Sequence, residues 1–150
     1  KIKMKRFALL ISLVFITSCD VFPTGNTIYS PKSNSGNSSN ETKEFAALIE
    51  KDQLYKKEVN AKVLTYLLSD TDSKDKNTAI IIENASRCDI ILRVVNITNG
   101  KIYNLPISRN SENQFVIQKG NYTLKSNICQ AKYYSQKNIV EPLILKLSQQ

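Results

Sequence analysis

The chain has 150 residues, with 21 Lys and Arg against 13 Asp and Glu, a formal net charge of +8. It contains no His and no Trp. The lack of His excludes Ser-His-Asp, Cys-His and histidine–metal sites by composition, because His is the most frequent general base and the commonest metal ligand.

Lys1, Lys3, Lys5 and Arg6 form a basic start, Phe7 to Thr17 is almost purely apolar, and Ile16-Thr17-Ser18-Cys19 closes the run. A basic region, a short apolar stretch and small residues before a cleavage point predict a secretory signal. The cysteine directly after them resembles the lipobox of bacterial lipoproteins, so residues 1–18 are expected to be a lipoprotein signal peptide. The apolar run is about 11 residues, short of the ~20 that span a bilayer as a helix. The resemblance implies a diacylglyceryl group on Cys19, and two or three acyl chains anchor a protein stably. The competing readings are an ordinary secretory signal with an incidental cysteine and, disfavoured by the adjacent basic residues, a buried core strand. Asp20 is a single acid, not the acidic cluster that some lineages use for surface export. The expected address is exported and lipid-anchored, with the outer membrane favoured over the inner and its two faces left open.

Removal of residues 1–18 takes away four positive charges and leaves +4. Residues 19–40 read as a lipidated N-terminus and disordered tether, since Pro23, Gly25, Pro31 and Gly36 interrupt a run rich in Ser and Asn. Residues 41–68 read as an amphipathic helical segment. Asn40 or Thr42 is placed to cap it, with Glu41 and Glu44 in the first turn. Phe45, Leu48, Ile49, Tyr55, Val59, Val63, Tyr66 and Leu67 recur at spacings of three and four. Asp52 interrupts this stripe and offers a break into two shorter helices. Core packing is the favoured reading of the stripe, and a partner-binding or self-associating helix is the alternative. Residues 69–77 read as a polar linker. Asp70, Asp72 and Asp75 invite a calcium loop, but Lys74, Asp75 and Ile81 stand where an oxygen ligand, Gly and Glu are required.

From residue 78 the period changes to two. Ala79–Glu83, Cys88–Val95, Ile102–Ile107, Phe115–Gln118, Tyr122–Ile128, Gln130–Gln136 and Val140–Leu147 read as strands. Asn99-Gly100 is a two-residue hairpin signal, and Pro106 suggests an edge strand. About seven short strands with regular turns predict a small antiparallel β-sandwich over 78–150, giving an α+β fold class. If the lipid takes Cys19, Cys88 and Cys129 remain as an even pair in an exported protein, and a disulfide between them is expected. Two buried free thiols are the alternative.

Asn84-x-Ser86-x-Cys88-x-Ile90, Tyr103-x-Leu105-Pro106, Val116-x-x-Lys119-Gly120-x-Tyr122-Thr123 and Cys129-x-Ala131-x-Tyr133 resemble the C-terminal module of a family of small bacterial lipoproteins carrying a domain of unknown function. The resemblance covers roughly residues 45–150. Similar strand-turn-strand patterns occur in immunoglobulin-like and transthyretin-like sandwiches. The family implies a fold and an address, and it supplies no catalytic residues.

The β-region holds nine Lys and Arg against four Asp and Glu. Its basic residues are scattered, so solvated strand faces are the plain reading and a shallow face for an acidic envelope polymer, phospholipid headgroups or an acidic protein is the sharper one. Tyr103, Tyr122, Tyr133 and Tyr134 would stack on sugars if exposed. Export and the modest charge argue against nucleic acid. No cofactor and no metal are expected, and the oligomeric state is left open. A carboxylate-dependent hydrolase would need two of Glu83, Asp89, Glu112 and Glu141 within ~5–10 Å, and no recognisable constellation places them so. The expected function is a non-catalytic binding or interaction module held at a membrane through Cys19, with an accessory subunit of an envelope assembly or secretion machine as the alternative. No ligand-binding residue is assigned at this level.

Overall fold

The computed structural model describes residues 36–68 and 74–149. The signal, Cys19, residues 19–35 of the tether, and Asp70 and Asp72 lie outside the described residues. One helix, α1 (Gly36–Leu68), is followed by seven strands: β1 (Asn77–Asn84), β2 (Ile90–Asn96), β3 (Ile102–Ile107), β4 (Ser111–Gln118), β5 (Gly120–Ile128), β6 (Ala131–Ile139) and β7 (Leu143–Leu147). They form a three-stranded sheet of order β4-β1-β7 and a four-stranded sheet of order β3-β2-β5-β6.

The alternation of apolar residues builds the interior. Ile80 and Ile82 of β1, Phe115 and Ile117 of β4 and Leu147 of β7 meet Ile90, Leu92 and Val94 of β2, Leu105 and Ile107 of β3, and Tyr122 and Leu124 of β5 in one buried cluster. β-branched residues suit such half-buried pleated surfaces. β3 is an edge strand, as Pro106 indicated. The sandwich is not purely antiparallel, because β1 pairs parallel with β7, from Ile80↔Leu143 to Asn84↔Leu147. A parallel pair needs a long crossover, and here the five intervening strands supply it.

The hairpin between β2 and β3 also differs from the expected two-residue turn. Asn96 N donates to Lys101 O at 2.8 Å and Gly100 N donates to Asn96 O at 3.0 Å, closing a loop over residues 97–100. Gly100 alone in this loop has a positive φ, 70°, whereas a type I′ turn demands two such residues. Asn96 reshapes the loop, its side-chain oxygen accepting from the amides of Thr98 and Asn99 at 2.9 and 3.1 Å.

Two family-like motifs acquire a physical role. Asn84 is fully buried. Its amide nitrogen donates to Cys88 O, Ile107 O and Ser108 O at 2.8, 3.3 and 3.0 Å, and its oxygen accepts from the Ser86 amide and hydroxyl at 3.0 and 2.7 Å. It thereby ties the β1–β2 connection at Cys88 to the end of β3 at Ile107 and Ser108. In Lys119-Gly120-x-Tyr122, the chain crosses from one sheet to the other. The buried Tyr122 hydroxyl donates to Gln118 O at 2.6 Å, and its ring meets Tyr103 edge-on at 6.3 Å. A Cβ on Gly120 would lie 2.9 Å from Asn96 Nδ2, so a larger residue would have to displace the Asn96 side chain that shapes the β2–β3 loop.

The helix is a 33-residue strap, about 50 Å long at 1.5 Å per residue. It starts at Gly36 rather than at residue 41, since each residue added to a nucleated helix gains a hydrogen bond. It runs unbroken through Asp52. That carboxylate faces the protein and accepts from Asn113 Nδ2 at 2.9 Å, while Lys56 Nζ donates to Asn113 Oδ1 at 2.8 Å and Asn113 Nδ2 also donates to Pro106 O at 2.9 Å. Asp52 thus interrupts the apolar stripe where α1 passes the polar end of the β3–β4 side. Further on, Val63 packs with Ala79 and Ile81, with Val59, Tyr66 and Val116 around them. Tyr55 and Leu67, expected in the buried stripe, are 57% and 44% exposed.

Candidate functional site

Strand register decides which side chains reach the outer face of the four-stranded sheet. Arg93 stands opposite Asn104 of β3 and Lys125 of β5, and Lys125 opposite Tyr134 of β6. One step along, Ile91 stands opposite Pro106, and Asn127 opposite Lys132. The start of α1 lies against part of this face. Arg93 donates to both Glu44 oxygens at 2.8 Å and to Asn104 at 3.1 Å, and Asn127 Nδ2 donates to the Glu41 carboxylate at 3.1 Å.

Between the helix start and β6 runs a groove of two adjoining cavities, about 570 and 330 Å³. Ile91, Asn127, Glu41 and Lys132 line both. Phe45 and the cystine lie in the larger, and Lys125 and Tyr134 in the smaller. Cys88 and Cys129 are bonded, with Cα atoms 5.5 Å apart. The bridge ties the entry to β2 to the β5–β6 turn, where Cys129 adopts a left-handed φ of 57°. It therefore links neighbouring strands of one sheet rather than facing strands. Arg87, next to Cys88, and Lys132, three residues beyond Cys129, are thereby brought to the same cavity.

Five cations and two carboxylates line the groove. Asp89 accepts from the Arg109 amide at 2.9 Å and from its guanidinium at 3.0 and 3.3 Å. Those side-chain bonds hold the Asp89 carboxyl below its ordinary range against the opposing effect of burial. The Arg93 hydrogen bonds do the same to Glu44. Arg87, Lys125 and Lys132 make no ion pair among the described residues. Lys125 Nζ lies 5.8 Å from the ring centre of Tyr134, within cation–π range. The groove thus combines an apolar floor, uncompensated positive charge and one open aromatic ring, a surface suited to an anionic ligand with an apolar face.

Of the four tyrosines considered, Tyr122 is buried inside, Tyr103 and Tyr133 pack on the core, and Tyr134 is 62% exposed. Among the nine basic residues, Arg93, Arg109 and Lys146 face carboxylates. Glu83 and Glu112 are register partners across β1 and β4, with Lys146 bonded to Glu83 at 2.7 Å. They lie on the outer face of the other sheet and line neither cavity of the groove. The convergence of Arg87, Lys125 and Lys132 escaped the sequence reading, which saw scattered charges. The one signal available was their closeness to the cysteine pair.

Architecture and site together define a helix-strapped, disulfide-bonded β-sandwich with a basic groove on one face. Residues 50–150 match the family described as a domain of unknown function, DUF6759, and the chain belongs to that family. The match begins within α1 and takes in all seven strands, so Glu41 and Phe45 of the groove precede it. A search of the curated proteins finds no match.

Proposed function

We propose that this protein is an exported, lipid-anchored module of the bacterial cell envelope that binds an acidic partner without catalysing a reaction. The observation that carries the binding role is the convergence of Arg87, Lys125 and Lys132 on one groove. Support for the address comes from residues 1–19, whose basic, apolar and small-residue order resembles a lipoprotein signal. The cystine suits an oxidising compartment. No helix among the described residues is long and apolar enough to cross a membrane. In this reading Cys19 carries the lipid, the outer membrane is favoured, and the segment before α1 serves as the tether.

The test is fractionation of the protein expressed with its own leader. The wild type should remain with membranes after high-salt washing, and Cys19→Ala should be released. Firm attachment of the alanine variant overturns the anchor. Protease treatment of intact cells then reports the face: loss of the domain places it outside, and survival until the envelope is opened places it within.

A second reading, an accessory subunit of an envelope machine, is favoured by one observation. Leu54, Leu64 and Leu68 on the outer side of α1 are 75%, 54% and 77% exposed. Exposed apolar patches of this kind mark protein contacts when they are large enough.

A further inference from the structure

We propose that the groove between α1 and β6 takes an anionic glycan, a chain of sugars bearing carboxylate or sulfate groups, with Tyr134, Lys125, Lys132 and Arg87 as its contacts. This rests on the acidic-partner reading above and names the ligand class.

Three features argue for a charged sugar. Tyr134 is 62% exposed, and an aromatic face that Lys125 leaves uncovered receives the C–H side of a pyranose. Lys125 stands opposite it in register and over its ring at 5.8 Å. A cation is thus set beside the stacking surface, where a ligand unit needs both an apolar face and an anionic substituent. Lys132 lies two positions from Tyr134 on the same face of β6, about 7 Å along the strand, of the order of one sugar unit. Arg87 lines only the larger cavity, Lys125 only the smaller and Lys132 both, so the three cations are distributed over the two cavities, as suits an extended polyanion. A single headgroup phosphate would instead favour cations clustered at one point. Ile91, 1% exposed, and Phe45 are the apolar side chains lining the larger cavity apart from the cystine. Glu41 is the one carboxylate in the groove outside the Asp89–Arg109 pair, and Asn127 holds it to one wall.

The experiment measures binding of the detergent-solubilised full chain to polygalacturonate. Comparison ligands are neutral dextran, poly-glutamate and anionic phosphatidylglycerol vesicles, over a series of salt concentrations. Polygalacturonate should bind, dextran should not, and affinity should fall with salt because exposed charges are screened. Lys125→Glu with Lys132→Glu should weaken binding at least about tenfold at low salt and flatten the salt dependence. Tyr134→Ala should weaken it about fivefold or more with the salt dependence unchanged, and Tyr134→Phe should retain it. All three side chains are exposed, and circular dichroism checks that each variant is folded. Equal binding of poly-glutamate, unaffected by Tyr134→Ala, overturns the glycan and leaves an acidic-protein site. Binding confined to the vesicles overturns it in favour of lipid headgroups. No binding to any polyanion overturns the basic groove itself as a binding site.

Discussion

Arg93 on β2 grips Glu44 on α1 with two parallel hydrogen bonds of 2.8 Å across 49 residues of sequence. Such forked contacts between guanidinium and carboxylate are among the stronger polar contacts. The two side chains are 38% and 35% exposed, so solvent screening keeps the pair to roughly 1 kcal/mol. Its importance is positional, because it holds the helix start as one wall of the groove.

Acid should loosen that wall. The Arg93 hydrogen bonds lower the Glu44 pKa, so the pair contributes stability above the unfolded carboxyl value of about 4.3 and loses it as pH falls through the lower native value. Asp89 behaves alike through Arg109. Hydrogen exchange should show residues 41–49 losing protection on acidification before the amides of Ile82 and Leu92. Glu44→Gln should remove much of that protection at neutral pH. Unchanged exchange in the variant overturns the role given to the pair.

Asn84→Ala, at the buried end of β1, should be severely destabilising. It strips a donor from three carbonyls and an acceptor from Ser86. Leaving such buried groups unpaired costs about 2–4 kcal/mol. Urea denaturation measures the difference, and a loss below about 1 kcal/mol would contradict the assigned role.

Replacing both Cys88 and Cys129 by Ser should lower stability by about 4 kcal/mol, the chain-entropy value for a bridge of this span, here a sequence separation of 41. Mass analysis of the oxidised wild type should show two hydrogens fewer than the reduced chain. The variant should also bind polygalacturonate more weakly, since the cystine brings Arg87 and Lys132 to one cavity. Full affinity in a folded double variant would show that strand register alone suffices.

On the helix, inward and outward residues should respond differently. Val63 is 1% exposed and packs on Ala79 and Ile81, so Val63→Ala should cost about 2 kcal/mol. Leu54 is 75% exposed, and Leu54→Ala should stay within about 0.5 kcal/mol. Thermal or chemical unfolding distinguishes the two, and equal losses would mean that the outer face is also covered.

Local rules determined much of this molecule. Period-two and β-branched runs pointed to all seven strands, because side chains alternate across a strand whatever its partner, although β1 is buried on both faces and β4 begins at Ser111 rather than Phe115. The period of three and four located α1 for the same local reason, and the absence of His excluded whole chemistries. The even pair of cysteines pointed to the bridge. Tertiary structure decided the rest. It placed β7 parallel to β1, a pairing set by the order of strands rather than by any strand's own composition. It turned Asp52 from an apparent flaw into the partner of Asn113, and Asn99-Gly100 into part of a longer loop governed by Asn96. Above all it gathered Arg87, Lys125 and Lys132 at one groove. Their spacing in the chain carries no period, so no local pattern could join them. Register across β2, β5 and β6, with one covalent bridge, supplies the nearness, and long-range electrostatics then acts on distance in space rather than in sequence.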